Sequence, residues 1–251
     1  MWHHSREITL GRLIFVVVAV IALFTVALFL RPMHSTPNST DADQGMTASP
    51  TSLTPTFVGR RVCGECHEEN FHLHSESGHA STFVNTSNSD IAKKFVGKTL
   101  DAGEPHGLLE YSMDEKGLRV SRVDDPNDQS FPLDFALGSG HNAVTFLSLI
   151  PDAAEGTIGI EHRVSWFAAD DHFGLTPGQI GSSPTTLAPL FGNPVHDKHM
   201  HACVTCHTTS GKIIDQNIVD LIPNVNCEKC HGPGSEHVRQ ARLSNSPTCA
   251  P

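Results

Sequence analysis

Cys63-Gly64-Glu65-Cys66-His67, Cys203-Val204-Thr205-Cys206-His207 and Cys227-Glu228-Lys229-Cys230-His231 repeat one pattern, Cys-x-x-Cys-His, three times in 251 residues. Two thiols three residues apart lie on one helical turn, so both can add to the vinyl groups of a single porphyrin while the adjacent histidine reaches its iron. The pattern is the attachment site of c-type haem. It predicts three covalent haems c per chain, held through Cys63, Cys66, Cys203, Cys206, Cys227 and Cys230, with His67, His207 and His231 as proximal iron ligands. Electron transfer is the chemistry such a set serves.

Two other chemistries use the same residue types. Twenty residues separate Cys206 from Cys227, and two cysteine pairs at that distance also describe a four-cysteine zinc site, which would make the chain an extracellular zinc-binding interaction module. Zinc has no use for a histidine directly after each pair, and the first pair would lack a partner pair. With 17 histidines in the chain, three such placements by chance have odds of roughly a few in ten thousand. A disulfide framework, the other use of six cysteines in an exported chain, also leaves the histidines unexplained.

The elements that carry these motifs follow an N-terminus that reads as exported. Leu13 to Leu30 is apolar but for Thr25, with Arg6 and Arg12 before it and Arg31-Pro32 after it. At about 1.5 Å per residue it spans roughly 27 Å, close to a bilayer core. Phe29-Leu30-Arg31-Pro32 offers no small-residue cleavage site, so residues 1–31 read as an uncleaved membrane anchor with the N-terminus inside. The expected location is the inner membrane, single-pass, with the rest in the periplasm or an equivalent exported space. Residues 32–56 are almost entirely Ser, Thr, Pro, Asn, Asp, Gly and Ala, a disordered linker by composition.

Residues 57–251 then form the redox domain. A first-motif segment (57–100) reads as helices and loops, a β-rich insert (101–184) follows, and helices and loops (185–251) carry the second and third motifs. In the insert, Leu108–Ser112 and Leu118–Val123 flank Asp114-Glu115-Lys116-Gly117, a hairpin signal. Ala143 to Ile150 and Gly159 to Phe167 are further strand candidates. The fold expected is mainly α and loop with a small antiparallel β insert, an N-terminal transmembrane helix, and haem groups forming much of the core, since aromatic residues make up only 6% of the chain. A formal charge of −10 argues against nucleic-acid binding and suits a basic redox partner.

Phe57-Val58-Gly59-Arg60-Arg61-Val62 before the first motif, Ser77-Gly78-His79-Ala80 after it, Gly138-Ser139-Gly140-His141-Asn142, and Cys227 through Gly232-Pro233-Gly234-Ser235-Glu236-His237-Val238 together resemble multihaem cytochromes c of the c-554 type. The resemblance implies periplasmic electron transfer through closely stacked haems, most with histidine on both faces of the iron. It makes His79, in the Ser-x-His-Ala landmark, the first candidate distal ligand. His237 joins it because Gly232 and Pro233 break the motif helix and Ser235 can cap a new one. His141 sits on a glycine-rich approach suited to a porphyrin face, and His199 is the reserve candidate. An alternative role, as the haem subunit of a nitrite- or hydroxylamine-converting oxidoreductase, requires an open iron. Neither a lysine-ligated motif nor a marked tyrosine supports it, and no small-molecule substrate is indicated. Cys249, the seventh cysteine, reads either as the start of a fourth pentapeptide cut short or as a free or intermolecular thiol in a disordered terminus.

Overall fold

Alternation of apolar side chains governs the architecture. In the computed structural model, which describes residues 54–124, 129–179 and 187–244, the longest strand is β7 (Ala143–Asp152). Its even positions Val144 and Phe146 enter one apolar cluster and its odd positions Leu147 and Leu149 another. A strand that is apolar on both faces must be covered on both. This one lies inside a seven-stranded antiparallel sheet. The sheet runs β1 (Phe83–Asn85), β6 (Phe135–Leu137), β7, β8 (Gly156–His162), β11 (Gly192–Val195), and β7 also pairs β9 (Val164–Phe167), which pairs β10 (His172–Leu175).

One face is covered by a four-stranded antiparallel sheet, β2 (Thr99–Asp101), β3 (Leu108–Met113), β4 (Leu118–Arg122) and β5 (Ser130–Leu133). The Asp114–Gly117 hairpin forms as expected, pairing Met113 with Leu118. Asp114 accepts from the Lys116 and Gly117 amides. Between the sheets, Phe95 at the end of helix α3 (Asp90–Phe95) is fully buried against the rings of Tyr111, Phe146 and Phe173, at 5.0, 5.0 and 4.6 Å between centroids. Phe95→Ala is expected to cost about 3–5 kcal/mol of unfolding free energy, the usual range for emptying such a site. Urea titration would read this as a lowered midpoint at unchanged slope.

The other face carries the second motif. Helix α5 (Asp197–His207) buries Met200 and Val204, one turn apart, against Leu147 and Leu149. It comes that close because β8 offers Gly159 there, where a Cβ would stand 3.3 Å from Met200 and 2.6 Å from Val195. The hairpin β12 (Thr208–Ile214) and β13 (Asn217–Pro223) follows directly. The first motif begins at the end of a five-residue helix, α1 (Arg60–Gly64), and runs to His67 at the start of the next, whereas the third fills a five-residue helix, α6 (Cys227–His231). Longer helices follow each, α2 (Glu68–Glu76) and α7 (Ser235–Leu243). A short helix α4 (Leu187–Phe191) precedes β11.

This overturns the expected fold class. Strand exceeds helix, and the β structure is neither small nor confined to 101–184, since β1 and β2 precede that stretch and β11, β12 and β13 follow it. Two apolar clusters of protein side chains form between these elements, with Phe83, Phe95, Phe146 and Phe191 fully buried. The expected anchor at Leu13–Leu30, nearly all of the linker and Cys249 lie outside the described residues. Among the described residues no helix is long and apolar enough to cross a membrane.

Candidate haem site

The first and third motifs are separated by more than 150 residues in sequence and meet in space. One cavity of about 660 Å³ is lined by Cys63 and His67 from the first, Cys227 and His231 from the third, and also by His74 and His237. That volume lies within the range of small-molecule and cofactor sites, roughly 300–1,000 Å³. The Cys63 and Cys227 thiols both line the cavity. Burial first, then Cys227 and Glu228, push the Cys63 thiol up to about 11. It is therefore protonated near neutral pH and not a free nucleophile. Among the described residues no group of three or more His, Cys, Asp or Glu is arranged to hold a metal ion. Cys66 is engaged in a disulfide, a bond that must be reduced before its sulfur can form a thioether.

Across this cavity the His67 and His237 rings stand 6.2 Å apart between centroids, with planes inclined by 18°. The separation is close to that of two imidazoles sharing one metal, about 6 Å between ring centres, but the pair is stacked, so ligation requires the rings to turn their nitrogens toward a common point. Of the candidate distal ligands, then, the structure brings His237 to a proximal histidine. His74, on α2, was not singled out by sequence reasoning. It lines the same cavity, with Nε2 2.8 Å from the Val225 carbonyl and Nδ1 buried without a partner.

The second motif is positioned differently. His207 Nδ1 lies 3.1 Å from the Thr82 carbonyl, and Thr82 Oγ1 donates back to the His207 carbonyl at 2.7 Å. A carbonyl only accepts, so Nδ1 carries the proton and Nε2 presents a lone pair, the arrangement of a metal-ligating histidine with its outer partner. Burial, partly offset by that carbonyl, holds His207 below the usual histidine range, favouring the neutral ring a metal requires. Burial and then Glu161 push the Cys203 thiol up. The Cys203 and Cys63 thiols each donate to a carbonyl one turn back, on His199 and Gly59, at 3.4 and 3.7 Å.

The remaining candidates are not brought to a proximal histidine. His79 is exposed, and its carbonyl accepts from the Val225 amide at 3.0 Å. His141 is exposed on a loop against Gly78, where a Cβ would lie 3.7 Å from its Nδ1. His199 is exposed on α5.

Residues 190–232, which hold the second and third pentapeptides, match the family model for cytochrome c554 and c-prime. Among solved structures, the crystal structure of the outer cell wall cytochrome OcwA is similar to the chain at 15% identity and a TM-score of 0.41, over 74% of this chain and 34% of that one. The chain thus spans about a third of that protein's length. No curated protein matches it. The similarity to c-type cytochromes rests on residues 190–232, which hold two of the three pentapeptides.

Proposed function

We propose that the chain is an exported, membrane-anchored carrier with three covalent haems, passing single electrons between redox proteins, at least one of them basic. The observation that carries the reading is the His67–His237 pair, spaced as two ligands of one iron in a cavity that also holds the third motif. Cys63 and Cys66 would hold the first haem, with His67 and His237 on its iron. Cys203, Cys206 and His207 would hold the second, and Cys227, Cys230 and His231 the third. Haem bound this way supplies an iron that takes up and releases one electron at a potential set by its ligands and surroundings. Paired histidines close the iron to substrate, and Thr82 fixes the His207 ring. Export and anchoring rest on the apolar run Leu13–Leu30, and the basic partner on the formal charge of −10.

The test is a pyridine haemochrome assay with a reduced-minus-oxidised spectrum, on full-length protein made with a haem-attachment system in an oxidising compartment. Three covalent haems per chain with low-spin spectra are expected, in the membrane fraction. A colourless protein with stoichiometric zinc would overturn the proposal.

A further inference from the structure

Glu228 fills one of the two variable positions of the third pentapeptide, and nothing in haem attachment calls for a carboxylate there. In all three motifs the residue after the first cysteine faces inward. A Cβ on Gly64 would meet the Phe71 ring at 2.9 Å, Val204 is 1% exposed in the second apolar cluster, and Glu228 is 4% exposed. Two motifs use the position for close packing. The third buries a charge, which is costly unless it is fully hydrogen-bonded.

It is bonded to three backbone amides. Oε1 accepts from Val58 and Gly234 and Oε2 from Gly59, each at 2.8 Å. Among the described residues no lysine or arginine is paired with it. Val58 and Gly59 lead into α1, where no side chain caps the helix start and Gly59 has φ 86°. Gly234 leads into α7, also without a side-chain cap. One carboxylate therefore holds the entry of the helix that leads to His67 and the entry of the helix that bears His237. The two segments touch: a Cβ on Gly234 would lie 3.1 Å from Val58 Cγ2. Thr56 and Ser235 add two bonds, Thr56 N–H to Ser235 Oγ at 2.8 Å and Ser235 N–H to the Thr56 carbonyl at 3.1 Å.

We infer that Glu228 is the positioning residue of this site: its carboxylate sets the separation of the His67 and His237 rings by tying the first motif's helix to the third motif and to α7. The inference rests on the proposed haem reading. Losing three charge-assisted bonds frees the two segments to part while each motif keeps its own thiols and histidine.

Glu228→Ala and Glu228→Gln, in full-length haem-loaded protein, test it by haem count, low-temperature EPR, circular dichroism and response to imidazole. Gln keeps the volume but sets an NH2 donor against an amide donor. Both variants are expected to keep three covalent haems and the β signal. Glu228→Ala should move one haem of three from low-spin to high-spin and Glu228→Gln a smaller fraction, with added imidazole restoring the low-spin signal. Rescue by imidazole separates a displaced ligand from a damaged fold. Three low-spin haems in the unaltered protein and in Glu228→Gln and Glu228→Ala alike would overturn the inference and leave the carrier reading standing. An unaltered protein without haem would overturn both.

Discussion

Replacing His237 by alanine is expected to turn one of three low-spin haems high-spin, with the number of covalent haems unchanged. Attachment depends on Cys63 and Cys66, which the substitution leaves alone, whereas the second strong-field ligand on the first iron would come from α7. The rings of His67 and His237 stand 6.2 Å apart and are inclined by 18°. His74 has its Nε2 held at the Val225 carbonyl. The open coordination position should bind carbon monoxide when the variant is reduced, which a closed pair of histidines resists. EPR and carbon monoxide difference spectra would read both effects. His72→Ala is the matching control: that side chain is 69% exposed and lies 3.8 Å from the Glu68 carboxylate on the outer side of α2. It should change neither reading. A His237→Ala protein that stays low-spin and ignores carbon monoxide would sink the pairing and return His79 and His141 as candidates.

The pentapeptides were legible because covalent chemistry fixes their spacing within one helical turn, whatever surrounds them. The break before the helix that bears His237 was legible locally, because Gly232-Pro233-Gly234 ends one helix and begins another; its approach to His67, distant in sequence, was not. The hairpin at Asp114–Gly117 announced itself through residues suited to a tight turn. The hairpin β12–β13 did not. Its turn is Asp215-Gln216, both at positive φ of 46° and 62°, and glutamine there gives no turn signal. That omission, with β11 read as helix or loop, accounts for much of the missed strand content. His74 and Glu228 were illegible for a different reason. What distinguishes them is a bond to Val225 and bonds to Val58 and Gly59, 151, 170 and 169 residues away, and only the assembled fold supplies those neighbours.

The chain should lose stability steeply below pH 6.5, with His162 the leading group and His207, also held below its usual range, adding in the same sense. The His162 ring is fully buried, with Nε2 2.8 Å from the Tyr111 hydroxyl and Tyr111 and Phe146 packed around it. Burial pushes its pKa down from 6.5 to about 3, a backbone carbonyl at Phe191 opposing the shift only in part. The folded state therefore holds the ring neutral over a range where the unfolded chain takes up a proton. Stability from this group is complete above pH 6.5 and falls as pH drops toward 3, by about 1.4 kcal/mol per pH unit and about 5 kcal/mol in all. The carboxylates held below their usual range, Asp90, Asp114, Asp152, Asp171 and Glu236, contribute with the same sign, but only once pH nears their unfolded values of 3.8 and 4.5. Between pH 6.5 and 4.5 His162 dominates among these groups and should account for about 2–3 kcal/mol. Urea unfolding across that window, compared with His162→Gln, isolates it, because glutamine does not titrate and can still pair with the Tyr111 hydroxyl. The variant's stability should vary with pH by one proton less. Equal pH slopes for the two proteins would show that the ring is charged in the folded state, and the buried Tyr111–His162 pair would then need another account.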